Sequence, residues 1–420
     1  MKKRLAFLVF LSFVSVVLSG CGGGTGTPSA AASSGSGGSN NSSLAPNAVS
    51  LTVDAGPNSN DHNVAFISIK VCAHSSTINC QTIDHILVDT GSTGLRLLAD
   101  AMSPSVNSAL SQAKLNNSSL VECMQFLDGF SWGPLKKADI TIGNYTVSNM
   151  TIQIIGDSSF SSIPTRCSNT GASDNTTANF GAKGILGISN TRQDCGSTCA
   201  QSSNSTLYYQ CSNATTCQPT TVTVDSQLQQ PISLFSQDNN GSLIQLPALT
   251  ANVGTNVQGS LIFGIGTQSN NSVGSNASIL YVHPSTSTLT AQLQNSTYSF
   301  AFIDSGSTDW IFDDNGLMPT CSTGFYCPSS SQTLTTIFTD IHATSSTFNF
   351  SIANASEAFN DNPIATAFDN IGAPARDSQS GNLPHTTFIA GLPFFYGRSV
   401  WTAIEDAPTP SGTGPYVAFQ

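Results

Sequence analysis

Two aspartates stand in matching surroundings 215 positions apart. The first is Asp89 in HILVDTGSTGLRLL, and the second is Asp304 in FAFIDSGSTDWIF. Each copy reads as an apolar run, Asp, a small hydroxyl residue, Gly, two further hydroxyl residues and a second apolar run. Two carboxyl groups brought together by an internal duplication have a definite chemistry. Held close, they cannot both ionise, so one keeps a proton and serves as acid while the other serves as base toward water. Such a pair can split a peptide bond with no cofactor and no metal.

One Asp-hydroxyl-Gly string in a chain so rich in Ser, Thr and Gly reads as a turn. The repeat extends further than that. FGAKGILGIS, around Gly187, closes the first half, and HTTFIAGLPFF, around Gly391, closes the second. The offset from the aspartate to this apolar-apolar-Gly motif is 98 positions in the first half and 87 in the second. Gly91 and Gly306 permit the tight turn that presents each acid, and a bare backbone there can lie close to a carboxylate.

The elements that must position these residues are strands. Apolar residues make up 39% of the 420 and charged residues only 9%, and short β-branched runs are broken by Gly, Asn and Pro, so the chain reads as mainly β. NVAFISIKVC, ADITIGNYTVSNMTIQIIG, GSLIFGIGT, SILYVHP and PYVAFQ read as strands, with a hairpin turn at Leu127-Asp128-Gly129. Residues 190–225, rich in Ser, Asn, Gln and Cys, read as a disulfide-stapled surface insertion.

Residues 1–21 carry a targeting pattern: Lys2, Lys3 and Arg4, an apolar stretch from Leu5 to Leu18, then small residues. The stretch is too short for a spanning helix. Leu18-Ser19-Gly20-Cys21 resembles a bacterial lipobox, which makes Cys21 the lipid-bearing residue; a secretory signal cut nearby with an incidental Cys is the alternative. Gly22, where an Asp would favour inner-membrane retention, points to outer-membrane sorting. The expectation is a cell-envelope lipoprotein whose folded domain sits in the periplasm or at the cell surface. Residues 22–48, uncharged and rich in Gly, Ser, Ala and Asn, read as a flexible linker, and the folded part divides into lobes at 49–245 and 246–420.

With Cys21 set aside, ten cysteines remain, an even set that points to disulfides in an oxidising compartment. Close spacing suggests Cys72–Cys80, Cys195–Cys199, Cys211–Cys217 and Cys321–Cys327, leaving Cys123–Cys167, although sequence alone leaves the connectivity open. The six histidines are scattered and no HExxH or paired CxxC occurs, so no metal site and no cofactor is expected. Without Lys2, Lys3 and Arg4, 10 basic residues face 24 acidic ones, a formal charge of −14 that argues against nucleic acid as a partner. The expected partners are a polypeptide substrate and, through the lipid, a membrane; no oligomerisation seam is evident, and a monomer is expected.

Over roughly residues 60–420 the chain resembles the two-lobed pepsin-like aspartic peptidases, through ILVDTGSTGL, KGILGIS, GSLIFGIGT, FIDSGST and FIAGLPFF in family order. DTGSTGLRL after a lipobox also resembles an uncharacterised bacterial lipoprotein family that shares these motifs. The resemblance implies a bilobal double-psi β-barrel fold with a cleft between the lobes, and Asp89 and Asp304 as the catalytic dyad of an endopeptidase. It further implies that Thr90 and Ser305 interlock across the lobe junction, and that Ser92 and Ser307 donate to the outer carboxylate oxygens. The Leu186-Gly187 and Ala390-Gly391 motifs would pack beside the Asp loops.

The chain departs from this pattern at the flap, a hairpin whose Tyr normally meets a Trp placed just after the first Asp loop. Here the flap candidate is MQFLDGFSWGP, Phe126 takes the Tyr-like place, and Arg96 takes the Trp-like place. A substitute in which Arg96 pairs with Asp128 or stacks on Trp132 is one expectation. The other is a solvated Arg96, with Asp128-Gly129 merely turning the hairpin. Two rival readings remain. Gly129-Phe130-Ser131-Trp132-Gly133 matches the G-x-S-x-G elbow of serine hydrolases, but a strand pattern rather than a helix follows it. A catalytically silent pepsin-like surface lipoprotein, binding a peptide, glycan or protein partner, would share every motif above.

Overall fold

The computed structural model describes residues 44–126, 129–375 and 385–420, and within them the chain is mainly β. The targeting segment, Cys21 and most of the linker lie outside these residues. The first strand, Ala48–Val53, follows a buried Asn47, so packing begins just before the expected start of the folded part. The expected boundary at 245 falls within the strand Gly241–Leu246.

Each half contains the same threaded arrangement. In the first half, the strand Cys80–Asp89 leads into the Asp89 loop and Thr93–Leu98 leads out. The short strand Gly184–Ile188 lies between them, parallel to the first (Gly187 beside Asp89) and antiparallel to the second (Gly187 beside Gly94). In the second half, Ser296–Ile303 leads in and Trp310–Phe312 leads out. Thr387–Ala390 lies between them with the same two directions. A further strand runs parallel to each outgoing strand: Tyr145–Ile155 in the first half and Gly372–Ala373 in the second. Strands flanked on both sides and covered on both faces are expected to be mostly apolar and closed to solvent. TGLRLL, GILGI, WIF and TFIA are accordingly buried at every position.

Segments from both halves also build one antiparallel sheet, in the order Ala48–Val53, Val257–Phe263, Gly241–Leu246, Arg398–Ala403, Tyr416–Phe419 and Ser278–Tyr281. A single apolar cluster runs through the molecule, from Leu51, Ile86, Val88 and Leu186 to Phe312, Phe388, Phe394 and Val400. Buried asparagines pin the halves together. Asn63 donates to Thr308 O and Phe368 O at 2.8 Å each, and its Oδ1 accepts from Phe368 N–H and the Tyr396 hydroxyl. Asn190 donates to Ala403 O and Tyr416 O.

The five disulfides pair as the spacing suggested: Cys72–Cys80, Cys123–Cys167, Cys195–Cys199, Cys211–Cys217 and Cys321–Cys327. The reading of 190–225 as a surface insertion needs correction. Within it, Tyr208–Asn213 pairs with the hairpin strand Ser118–Gln125 and carries Thr216–Pro219 on its other edge. Tyr208 and Tyr209 are fully buried. The polar composition of the segment concealed this pairing, because its few apolar residues, among them Leu207, Tyr208, Tyr209 and Val222, show no strand alternation.

Candidate active site

Asp89 and Asp304 come together from the two halves, each carboxyl lying against the glycine of the opposite loop. The backbone of each loop closes on its own acid. Gly91 N–H donates to Asp89 Oδ1 at 2.7 Å, and Gly306 N–H donates to Asp304 Oδ1 at 2.9 Å. Ser92 Oγ donates to Asp89 Oδ2 at 2.5 Å and Ser307 Oγ to Asp304 Oδ2 at 2.7 Å, so the outer oxygens are held as well.

The loops also lock onto each other. Thr90 N–H donates to Ser305 Oγ at 3.1 Å, and Ser305 N–H donates to Thr90 Oγ1 at 2.9 Å. Each hydroxyl then donates onward across the junction, Thr90 Oγ1 to Ile303 O at 3.2 Å and Ser305 Oγ to Val88 O at 2.8 Å. Every hydroxyl both gives and receives, which a side chain without an O–H could not do.

The glycines are required by close approach. A Cβ on Gly91 would stand 2.6 Å from Asp304 Oδ1, and one on Gly306 would collide with Asp89 Oδ1, so each acid lies against the opposite loop. A Cβ on Gly187 would meet Thr93 N at 2.7 Å, and one on Gly391 would meet Ser307 O at 2.6 Å. The apolar-Gly motifs therefore pack on the Asp loops.

The electrostatics divide the pair. Burial and then the Asp89 charge push Asp304 up to about 6. Asp89 is equally buried yet held below the usual carboxylate range, with hydrogen bonds from Ser92 and the Gly91 N–H favouring its charged form. The arrangement suits one ionised and one protonated carboxyl. Both side chains are almost closed to solvent, at 0% and 3% exposure for Asp89 and Asp304. A cavity of about 170 Å³ reaches the loop at Gly91 and Ser92, with Met124, Asp194, Ser285 and Phe302 also in its wall.

The expected hairpin exists. Ser118–Gln125 runs antiparallel to Gly129–Ile142, with Cys123 opposite Trp132, and Phe126 N–H donates to Gly129 O. Phe126 packs edge-on to Phe180, with ring centroids 5.6 Å apart. Asp128 lies outside the described residues. The Trp132 stacking and the solvated reading of Arg96 are corrected, while its pairing with Asp128 falls outside the described residues. It is neither solvated nor stacked on Trp132; it is fully buried and bonds Glu122, Asp194 and Thr93 O. Trp132 instead donates its indole N–H to Phe160 O and packs edge-on to Tyr209. An arginine within an apolar outgoing strand has to meet buried carboxylates, and Glu122 and Asp194 lie 26 and 98 positions away in sequence. The signal was Arg96 itself, a charge in the otherwise apolar run TGLRLL, and nothing local pointed to its partners. Ser131 lies fully buried inside a continuous strand, which removes the G-x-S-x-G elbow. Among the described residues no cluster of His, Cys, Asp and Glu could hold a metal ion.

No curated protein sequence matches the chain. Residues 43–419, which include both Asp loops, the hairpin and the shared sheet, match the family described as "Protein of unknown function (DUF3443)", and the chain belongs to that family.

Proposed function

We propose that this chain is an aspartic endopeptidase with a pepsin-like, two-lobed double-psi architecture, in which a water activated between Asp89 and Asp304 hydrolyses peptide bonds. One observation carries the reading: two carboxyl groups from duplicated loops, each against the opposite loop's glycine and held by matching Gly N–H and Ser hydroxyl donors. In this mechanism Asp89, the ionised partner, takes a proton from water as its oxygen adds to the scissile carbonyl carbon. Asp304, the protonated partner, gives its proton to the carbonyl oxygen. Collapse of the tetrahedral species breaks the C–N bond as Asp89 passes its proton to the nitrogen, and a hydroxyl proton returns to Asp304. The two acids titrate as one unit. Five disulfides agree with an extracytoplasmic location, and the sequence motif at Cys21 extends this to an envelope lipoprotein, sorted to the outer membrane and acting on polypeptide as a monomer.

The near-complete closure of both carboxyl groups and the Phe126 in the flap favour a second reading, a silent shell that binds a peptide, glycan or protein. Incubation with unfolded protein between pH 3 and 7, with and without a pepstatin-type inhibitor, separates the two. Cleavage that the inhibitor blocks, and that falls about 10²–10⁴-fold in Asp89→Asn and in Asp304→Asn, is the expected result. Cleavage that survives both substitutions removes the dyad mechanism, and retained ligand capture without cleavage favours the binding shell.

A further inference from the structure

Arg96 sits on the strand Thr93–Leu98 that leaves the Asp89 loop. Its Nε and Nη2 donate to the two oxygens of Glu122 at 3.1 and 2.7 Å, so the guanidinium grips that carboxylate as a fork. Nη2 also reaches Asp194 Oδ2 at 3.2 Å, and Nη1 returns to Thr93 O at 2.8 Å. The other Asp194 oxygen accepts from the Tyr208 hydroxyl at 2.6 Å, and that hydroxyl accepts from Leu228 N–H at 2.9 Å. Glu122 belongs to the hairpin, and Tyr208 is its register partner on the neighbouring strand. The outgoing strand of the Asp89 loop, the hairpin, the adjoining strand and the Asp194 segment therefore meet in one place closed to water. Thr93, Asp194 and the hairpin residue Met124 share the cavity wall with Gly91 and Ser92. A buried ion cluster carries a desolvation cost that an apolar trio of the same volume avoids. Stability alone does not account for it.

We propose that Arg96, Glu122 and Asp194 form a latch that fixes the hairpin against the strand leaving the Asp89 loop, with Arg96 as a positioning residue for the hydrolysis proposed above. The catalytic meaning rests on that reading; the mechanical part does not. The latch is also linked to protons, because one guanidinium faces two carboxylates. The charged and titratable groups meeting Asp194 are Arg96, Glu122 and Tyr208, each from a different strand. Burial first, and then the Glu122 charge, push Asp194 well above the usual carboxylate range. While Asp194 keeps its proton the cluster is neutral and closed. When it ionises, an uncompensated negative charge strains the buried junction, so the hairpin loosens as pH rises.

Amide hydrogen exchange on the full chain, corrected for intrinsic rates, tests this in a series from pH 4 to pH 9. Hairpin amides of residues 118–126 and 129–133 should exchange at least about tenfold faster at the top of the series than at pH 4 in the wild type. Asp194→Asn, which keeps the shape of the protonated form, should flatten that difference. Glu122→Gln should speed hairpin exchange at pH 4 by about ten- to a hundredfold, with the distant strand pair Gln332–Thr339 and Ser345–Ile352 unchanged. On a cleavable peptide, Glu122→Gln should raise KM about tenfold and leave kcat within about threefold, since the dyad is untouched. Hairpin exchange that is the same in wild type, Asp194→Asn and Glu122→Gln overturns the latch. An unchanged KM with a large fall in kcat overturns the positioning role. A wild type that cleaves nothing ends the hydrolytic reading, while the exchange result still decides the latch on its own.

Discussion

Thr90 and Ser305 do more for the site than the acids do for themselves. Each hydroxyl accepts a backbone N–H from the opposite loop and donates to a carbonyl beyond it. Thr90→Val keeps the shape and removes both roles, leaving the buried Ser305 N–H without its acceptor. That should cost about 1–3 kcal/mol in a denaturant titration and lower the cleavage rate through misplaced carboxyls. Titration gives a second expectation. The folded Asp304 binds its proton more tightly than an ordinary Asp does, so its contribution to stability is complete below the unfolded value of 3.8 and is lost as pH rises toward about 6. Asp89, held low, works in the opposite direction, and its contribution is lost as pH falls. Cleavage should therefore fall about tenfold per pH unit above about 6 as the acid partner ionises, and a pH–rate profile reads this directly. These residues were legible in the sequence because the chemistry needs particular types at fixed spacing: Asp, hydroxyl, Gly, hydroxyl. Arg96 was visible as an anomaly, but its partners were not, because no local pattern links positions 26 and 98 apart.

Among the elements, the hairpin is the main departure from a free two-stranded flap. Tyr208–Asn213 lies along one edge, and Ala172–Ser173 pairs with Gly129 and Phe130 on the other. The Cys123–Cys167 bridge ties its middle to a helix, closing a separation of 44 residues. Replacing both of these cysteines by serine should cost about 2–4 kcal/mol in unfolding free energy, measured under non-reducing conditions against the wild type. It should loosen the hairpin before the strand pairs of the second half. The strands around each Asp loop were legible from apolar β-branched runs, and the disulfides from close cysteine spacing. The strand at 208–213 was not, because a stretch of Ser, Asn, Gln and Cys gives no alternation, and its burial is set by the hairpin it joins rather than by its own composition.

For the molecule as a whole, the halves are one cooperative body rather than two beads. Asn63 alone makes four hydrogen bonds to the second half, three to the backbone of Thr308 and Phe368 and one from Tyr396. Asn63→Ala should lower stability by on the order of 3 kcal/mol, because it leaves buried carbonyls and an N–H unpaired. Unfolding followed at Trp132 in one half and at Trp310 and Trp401 in the other should give coincident transitions in the wild type. The shared sheet was the part least legible in the sequence, since strand partners so distant leave no periodicity behind. It also dictates an order of events at birth. The strand Ala48–Val53 finds its neighbour in Val257–Phe263, and the side-chain bond from Asn47 to Phe263 spans 216 positions. A ribosome must finish that interval before residues 48–51 have a partner, since only Thr52 and Val53 pair nearby, with Phe66 and Ala65. Until then part of a bare sheet edge travels with the nascent chain, open to pairing with its equals unless something covers it.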